Sequence, residues 1–305
     1  MTLRYTLSPH QPFLPRPFTL QLLSKRLIRH RMTACIAMCL AFAATPTLAG
    51  SRILGTGGVN AIEGAAGGGL SPWAMLSSTA SEQEVGVTAS ATRASVDDFR
   101  LTVTGASLNI GDRVEVSVAR QTLDLETQGG ELGQDIYGAK VRLLGDVLYH
   151  PWGIWSAGVH HKRLADGTIP TALGADETRG TDAYLSASKL LFSAFAGRNV
   201  LLNATLRNTD ANQGGLLGFG GDQGSRAWVA EGSLGIFLTP QWVVGSEYRQ
   251  KPDNLSVARE DDWQSLYSAY FFNKHLSLTG AWLDLGDIAG LPSQRGGYLS
   301  IQAAF

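Results

Sequence analysis

The amino-acid sequence predicts an all-β chain that crosses a membrane as an antiparallel up-and-down barrel of about 12 strands, with 14 as the alternative. Three observations carry this. Apolar and polar side chains alternate with period two in segment after segment from residue 85 onward. The connections between those segments are short and long in turn, which is the asymmetry of a transmembrane barrel, with the exception of 94–98, short where a long outer loop is expected. Downstream of residue 49 no apolar run reaches the ~18 residues that a membrane helix requires, so a membrane crossing there would have to be made by strands.

The first 49 residues read as a targeting segment. Lys25, Arg26, Arg29 and Arg31 form a basic cluster, an apolar run follows from Ala34 to Ala44, and Thr47 and Ala49 are the small residues of a cut before Gly50. The apolar run is too short for a membrane span of ~20 residues. The basic region is long, with Pro9, Pro12, Pro15 and Pro17 and no periodicity. A secretory signal peptide over 1–49 is therefore expected.

Residues 1–49 hold six of the 25 Lys and Arg and none of the 26 Asp and Glu, so the chain from Gly50 on carries 19 against 26, a net charge of −7. That balance argues against nucleic acid as a partner. Cys35 and Cys39 both fall inside the predicted signal peptide. The exported chain would then have no disulfide, no thiolate metal ligand and no cysteine nucleophile.

Residues 50–70 are Gly-rich. Their GTGG at 55–58 lacks the Lys-Ser/Thr of a phosphate loop, and no GxGxxG opens a helix, so no nucleotide cofactor is implied. The stretch fits a first strand or a segment tucked into a lumen. The barrel itself is expected over 71–305, and its first strand candidate is Pro72-Trp73-Ala74-Met75-Leu76.

Next, Val85, Val87, Ala89 and Ala91 alternate with Gly86, Thr88, Ser90 and Thr92. Phe99, Leu101 and Val103 alternate with Arg100, Thr102 and Thr104, and Val114, Val116 and Val118 with Arg113, Glu115 and Ser117. Beyond Arg120 the apolar phase slips to Leu123 and Leu125, which predicts a β-bulge. Further strands are read around Tyr137–Leu143, Trp155–Lys162, Ala183–Ser193, Val200–Arg207, Trp228–Leu238, Trp242–Arg249, Trp263–Phe272 and Leu276–Trp282.

With the closing strand these make thirteen candidates. Bacterial single-chain barrels have an even number, so either one candidate does not span or residues 50–70 add another. Twelve is the preferred count. Trp152, Trp155, Trp228, Trp242, Trp263 and Trp282, with Tyr137, Tyr248 and Tyr267, lie mainly near strand ends and suggest two interfacial girdles. A soluble β-sandwich would explain the alternation but not the loop asymmetry.

The last ten residues, GGYLSIQAAF, set Leu299, Ile301, Ala303 and Phe305 on one face and Tyr298, Ser300, Gln302 and Ala304 on the other. This resembles the closing strand of bacterial outer-membrane barrels. In that family an alternating strand ending on Phe is what the insertion machinery reads. The resemblance implies that Tyr298, Leu299, Ile301, Ala303 and Phe305 serve as the assembly signal. It also implies a cell outer membrane location, with outer-membrane lipid and lipopolysaccharide as surroundings. Phe305 then falls on the periplasmic side together with the short connections.

If apolar faces meet lipid, the opposite faces carry Arg113, Glu115, Lys140, Arg142, Lys162, Arg207, Glu231, Glu247 and Arg249 as candidate lumen-lining residues. Mixed charge in a lumen has two readings, a salt-bridge network that fills a closed barrel or the lining of a selective pore. The 210–224 loop has an apolar centre in a Gly-rich frame. A solvent-facing loop is expected there, and an inward constriction is the alternative.

His160 and His161 are adjacent and would point to opposite faces of a strand, so together they hold no metal. Ser156 and His160 share a face but stand ~13 Å apart along a strand, too far for a nucleophile–base pair within it.

The run GGVNAIEGAAGGGLSPWA (57–74), followed by alternating strands and a terminal Phe, resembles a proteobacterial family catalogued as domain of unknown function 3034. The resemblance implies an outer-membrane location and brings no activity or ligand. The leading functional expectation is a narrow channel for small solutes. A closed structural or adhesive barrel acting through its outer loops is the alternative, and an outer-membrane acyl hydrolase comes third.

Overall fold

The computed structural model describes residues 58–305. The predicted signal peptide and cleavage point lie outside the described residues. Twelve antiparallel strands form one closed barrel, each strand paired to its neighbours in chain order. They are β3 (Val85–Val96), β4 (Phe99–Ile110), β5 (Val114–Leu125), β6 (Glu131–Gly145), β7 (Ile154–Leu164), β8 (Arg179–Phe195), β9 (Arg198–Thr209), β10 (Ala227–Thr239), β11 (Trp242–Arg249), β12 (Trp263–Phe271), β13 (Leu276–Asp284) and β14 (Arg295–Ala304). Two short strands, β1 (Val59–Asn60) and β2 (Ala66–Gly67), pair only with each other.

The ring closes between β14 and β3, where Gly296–Ala304 pairs with Thr88–Val96. Phe305 adds the last rung, exchanging backbone hydrogen bonds of 2.7 Å in both directions with Val87. One end of the barrel has short turns at 111–113, 196–197, 240–241 and 272–275 and an eight-residue connection at 146–153. The other end has the longer loops 165–178, 210–226, 250–262 and 285–294, with the shorter 97–98 and 126–130.

The strand candidate at 72–76 is not part of the wall. Pro72 supplies no ladder donor, and the stretch turns back inside the lumen with Trp73, Ala74, Met75 and Leu76 all buried. The wall therefore begins at Val85, and residues 71–80 belong with the Gly-rich segment.

The bulge expected near Arg120 is also absent. The β4–β5 and β5–β6 ladders run without a register shift, and the wall's shifts fall at Arg142/Leu144, Leu191/Phe195 and Phe237/Thr239, near the short turns. The apolar phase changes because the interior itself changes character. Toward the long loops Phe99, Val103, Leu123, Leu125, Leu132 and Ile136 point inward into one buried apolar cluster.

The same reversal corrects part of the aromatic girdle. Trp152, Trp228, Trp242, Trp282, Tyr137 and Tyr248 are exposed on the outer surface, whereas Trp263 and Tyr267 are buried inside. On the closing strand Leu299 and Ile301 face outward and Tyr298 is buried in the lumen.

Ile301 lies on the lipid-facing side, so Ile301→Arg should cost about 2–4 kcal/mol if it sits near the bilayer midplane. Inward-facing Ser300, whose hydroxyl lies 2.7 Å from Thr92 Oγ1, should lose only about 1 kcal/mol on replacement by Ala. Guanidinium unfolding of the barrel refolded in lipid vesicles checks both.

Candidate functional site

The lumen is occupied by the chain's own residues 58–80. The segment enters at the short-turn end, where Gly58 O accepts from Gln302 Nε2 (3.2 Å) and Ser77 O accepts from Asn109 Nδ2 (2.8 Å). Between these points it climbs toward the long loops as a hairpin of β1 and β2, with Glu63 near its tip. Glycine is required for this path. A Cβ on Gly67 would stand 2.2 Å from Ser71 O, and one on Gly68 would stand 2.1 Å from Glu247 Oε1.

The wall grips this segment by charge. Glu63 is buried and meets three cations from three different strands: Lys162 of β7 at 2.6 Å, Arg207 of β9 at 2.8 Å and Arg249 of β11 at 2.8 Å. Two wall carboxylates complete the cluster. Asp182 lies 2.7 Å from Lys162 and 3.1 Å from Arg207, and Glu231 lies 2.6 Å from Arg207 Nε. Three carboxylates therefore face three cations out of water, an arrangement that is tolerable only because each charge is paired and hydrogen-bonded. Arg249 also donates to Leu70 O at 2.8 Å, which ties the hairpin's second arm to β11.

A second anchor lies nearer the short turns. Glu115 accepts from the backbone N–H groups of Ala66 (3.1 Å) and Ser77 (2.6 Å). Lys140, 3.3 Å from Glu115, donates to the carbonyls of Ala66, Trp73 and Met75. Glu247 accepts from Leu70 N–H and Ser71 Oγ, both at 3.0 Å. In each case a wall side chain satisfies backbone polar groups that would otherwise be orphaned in the bore.

Six of the nine predicted lumen residues bond directly to residues 58–80, namely Glu115, Lys140, Lys162, Arg207, Glu247 and Arg249, and Glu231 joins them through Arg207. The other two do not join them. Arg142 is half-buried and pairs with Asp112 at the short turns, and Arg113 is exposed in the 111–113 turn. Glu63 and Asp182 were not among the predicted residues. Glu63 was signalled by being the one charge in the Gly/Ala-rich run at 57–74. Asp182 was signalled by inward parity, since it pairs directly with His160 across β7 and β8.

The long-loop end is closed as well. The 210–224 loop folds inward rather than into solvent, with Leu216, Leu217 and Phe219 buried and Gly214 O accepting from Lys162 Nζ at 2.9 Å. Its glycines make the turn, Gly214, Gly215, Gly218 and Gly220 all having positive φ. Gln213, a non-glycine with φ 46°, is held in this strained region by bonds to Glu260, Lys251 and Asp287 O. Lys251 also lies over the Trp263 ring, 4.9 Å from its centroid. Burial pushes the Lys251 ammonium below its ordinary pKa and the Glu260 carboxyl above its own, while their 3.3 Å pairing opposes both shifts.

Beneath this lid lies an apolar cavity of about 50 Å³ between Ile62, Leu70, Phe99, Trp263, Leu285 and Ile288.

His160 points into the lumen, 3.5 Å from Glu63 Oε2, and His161 faces outward against Thr181 Oγ1 at 2.9 Å. The Ser156 hydroxyl donates to Ala74 O. Among the described residues no hydroxyl is bonded to His160, so a nucleophile–base pair is not assembled there.

The family described as "Protein of unknown function (DUF3034)" matches residues 56–302. The chain belongs to this family. The family's span takes in the lumen segment and all of the wall except the last two residues of β14. A search of curated proteins finds no match.

Among solved structures, outer membrane protein Omp33 of Acinetobacter baumannii is 12% identical, with 73% of this chain and 100% of that one covered and a TM-score of 0.46. The NanC porin is 11% identical, with 72% and 98% covered and a TM-score of 0.43. Outer membrane phospholipase A from Escherichia coli is 9% identical, with 72% and 92% covered and a TM-score of 0.39. These are likenesses of the barrel wall and bring no ligand or reaction with them.

Lys140→Met would leave Glu115 buried without its cation and three carbonyls without their donor, and should cost about 3–5 kcal/mol. Arg226→Gln, which removes an exposed 3.3 Å pair with Asp210, should cost less than about 1 kcal/mol. Unfolding midpoints followed by tryptophan fluorescence compare the two.

Proposed function

We propose that this protein is an outer-membrane channel for small solutes, exported by a cleaved signal peptide and held closed at rest by residues 58–80. The observation that carries this reading is the manner in which the segment is bound. The wall pairs several of its charges with one another, Lys140 with Glu115 and Arg207 with Asp182 and Glu231, yet it also turns polar groups toward the segment. Lys140, Glu115, Glu247 and Arg249 direct hydrogen bonds to a stretch of backbone that is not part of the wall. If that stretch moves, the wall it uncovers is polar and mixed in charge, which suits a water-filled path. Glu63 is the latch, because it is the segment's only contribution to the central charge cluster.

The exposed apolar band, formed by residues such as Val85, Val116, Leu206, Leu234 and Leu299, supports placement in a bilayer. The Leu299–Phe305 strand at the seam supports its role as the signal for insertion.

Conductance in planar bilayers tests the latch. The unaltered chain should show long silent periods with rare openings. Glu63→Gln leaves three buried cations short of one negative charge, a loss worth several kcal/mol in such clusters. It should therefore raise the open fraction by about 100-fold or more. If the variant is folded, as judged by different gel mobility before and after boiling, and stays silent, the channel reading fails and the closed structural barrel takes its place.

A further inference from the structure

The outer surface of the wall carries a polar feature that the lumen does not explain. On four consecutive strands the outward apolar residues end at nearly the same cross-strand row. On β5, Val116 and Val118 are followed by Arg120, and on β6, Ala139 and Tyr137 by Asp135. On β7, Val159 is followed by His161 and Arg163, and on β8, Leu185 and Ala183 by Thr181 and Arg179. The sheet register sets Arg120 opposite Asp135, Asp135 opposite Arg163, and Arg163 opposite Arg179. Neighbouring strands lie ~4.8 Å apart, so the row extends about 15 Å along the edge of the apolar band.

Within the row Arg120 is neutralised by Asp135 at 2.7 Å. Arg163 and Arg179 are both exposed, stand directly opposite each other, and make no side-chain hydrogen bond or ion pair among the described residues. Like charges so placed repel. Glu177, two residues beyond Arg179, makes no ion pair with it. A pair of unengaged guanidinium forks side by side is the geometry that recognises phosphate through paired N–H donors. Along the same strands toward the barrel's middle comes one polar rung, His161 bonded to Thr181 at 2.9 Å, and beyond it Val159, Ala183 and Leu185, a surface suited to acyl chains. Exposed Tyr137 flanks the row at the depth where amphipathic rings meet headgroups.

We propose that Arg163 and Arg179, flanked by Arg120 and Tyr137, form a docking site for the phosphate of an anionic lipid headgroup in the leaflet at the long-loop end. The site rests on the bilayer placement proposed above but not on the channel reading. Its occupant is a lipid rather than a free anion because the two arginines sit one polar rung, His161–Thr181, beyond the apolar band, within the span of a headgroup phosphate whose acyl chains lie on that band. Bound phosphate would relieve the Arg163–Arg179 repulsion and stabilise the β7–β8 pair.

The test uses the refolded full-length barrel in neutral detergent micelles. The probes are a phosphorylated glycolipid, the same glycolipid dephosphorylated, phosphatidylcholine and inorganic phosphate. Retained lipid is counted by native mass spectrometry, and the temperature at which gel mobility shifts reports stability. The phosphorylated glycolipid should be retained and raise that temperature, and the other three should not.

The double variant Arg163→Gln/Arg179→Gln should retain the phosphorylated lipid about tenfold less or worse, because two charge-assisted contacts are lost. Arg93→Gln, which removes an outward arginine on β3, should leave retention unchanged. Arg163→Lys/Arg179→Lys, which keeps the charge without the fork, should fall between, and it serves if the double Gln variant does not fold. Equal retention by the double variant, an equal loss in Arg93→Gln, or equal protection by inorganic phosphate would each overturn the site. Loss of the boiled-versus-unboiled mobility difference in the unaltered chain would instead overturn the membrane barrel beneath it.

Discussion

In hydrocarbon no backbone N–H or C=O can be left without a partner, and this constraint governs the molecule. Twelve strands meet it only by closing, and closure happens at one seam, where β14 lies against β3 and Phe305 against Val87. A ring of this size then creates a second problem. Its bore is wider than the eight-stranded barrels that side chains alone can fill, so the lumen must hold either water or protein. In this chain it holds the stretch immediately before the first wall strand. The wall's inward polar residues serve that stretch as hydrogen-bond partners, so the electrostatics of the interior follow from the closure of the exterior.

The interior is divided along its length. Toward the short turns the bore is polar, with Glu115 and Lys140 satisfying backbone groups. At mid-height Glu63, Asp182 and Glu231 balance Lys162, Arg207 and Arg249. Toward the long loops Phe99, Leu123, Ile136 and Trp263 make it apolar, and the inward-folded 210–224 loop seals that layer. From the long loops inward, the apolar layer comes first and the ion cluster second.

Most of the wall was legible in the sequence, because period-two alternation and loop length are local signals. The positions of the twelve wall strands and most of the loop asymmetry follow from them, and parity alone placed seven lumen residues. The local pattern gives thirteen candidates, however, and twelve is preferred only because barrels have an even number. What was not legible depended on where the outside of the barrel changes from lipid to headgroup. Above that level apolar residues turn inward, so Leu123 and Leu125 mimicked a bulge and Trp263 mimicked a girdle residue. Pro72–Leu76 read as a strand because it is short and apolar. Its burial is against the wall's inner face, and no local pattern distinguishes that from burial in a sheet. Glu63 was missed because its partners are about 100 to 190 residues away.

The two ends of the lumen segment share one doorway. Gly58 is tied to Gln302 and Ser77 to Asn109, both near the short turns, and the chain between them goes up and comes back. Such a hairpin is a stopper rather than a thread. Seating it after the ring has closed would part no rung of the wall. Had Gly58 left by the long loops, the ring would have had to close around a strand already passing through it, and withdrawal would have meant pulling a free end along the whole bore. The topology therefore leaves the order of assembly unconstrained, while any withdrawal would have to break the Glu63 cluster and the Glu115–Lys140 anchor within the bore.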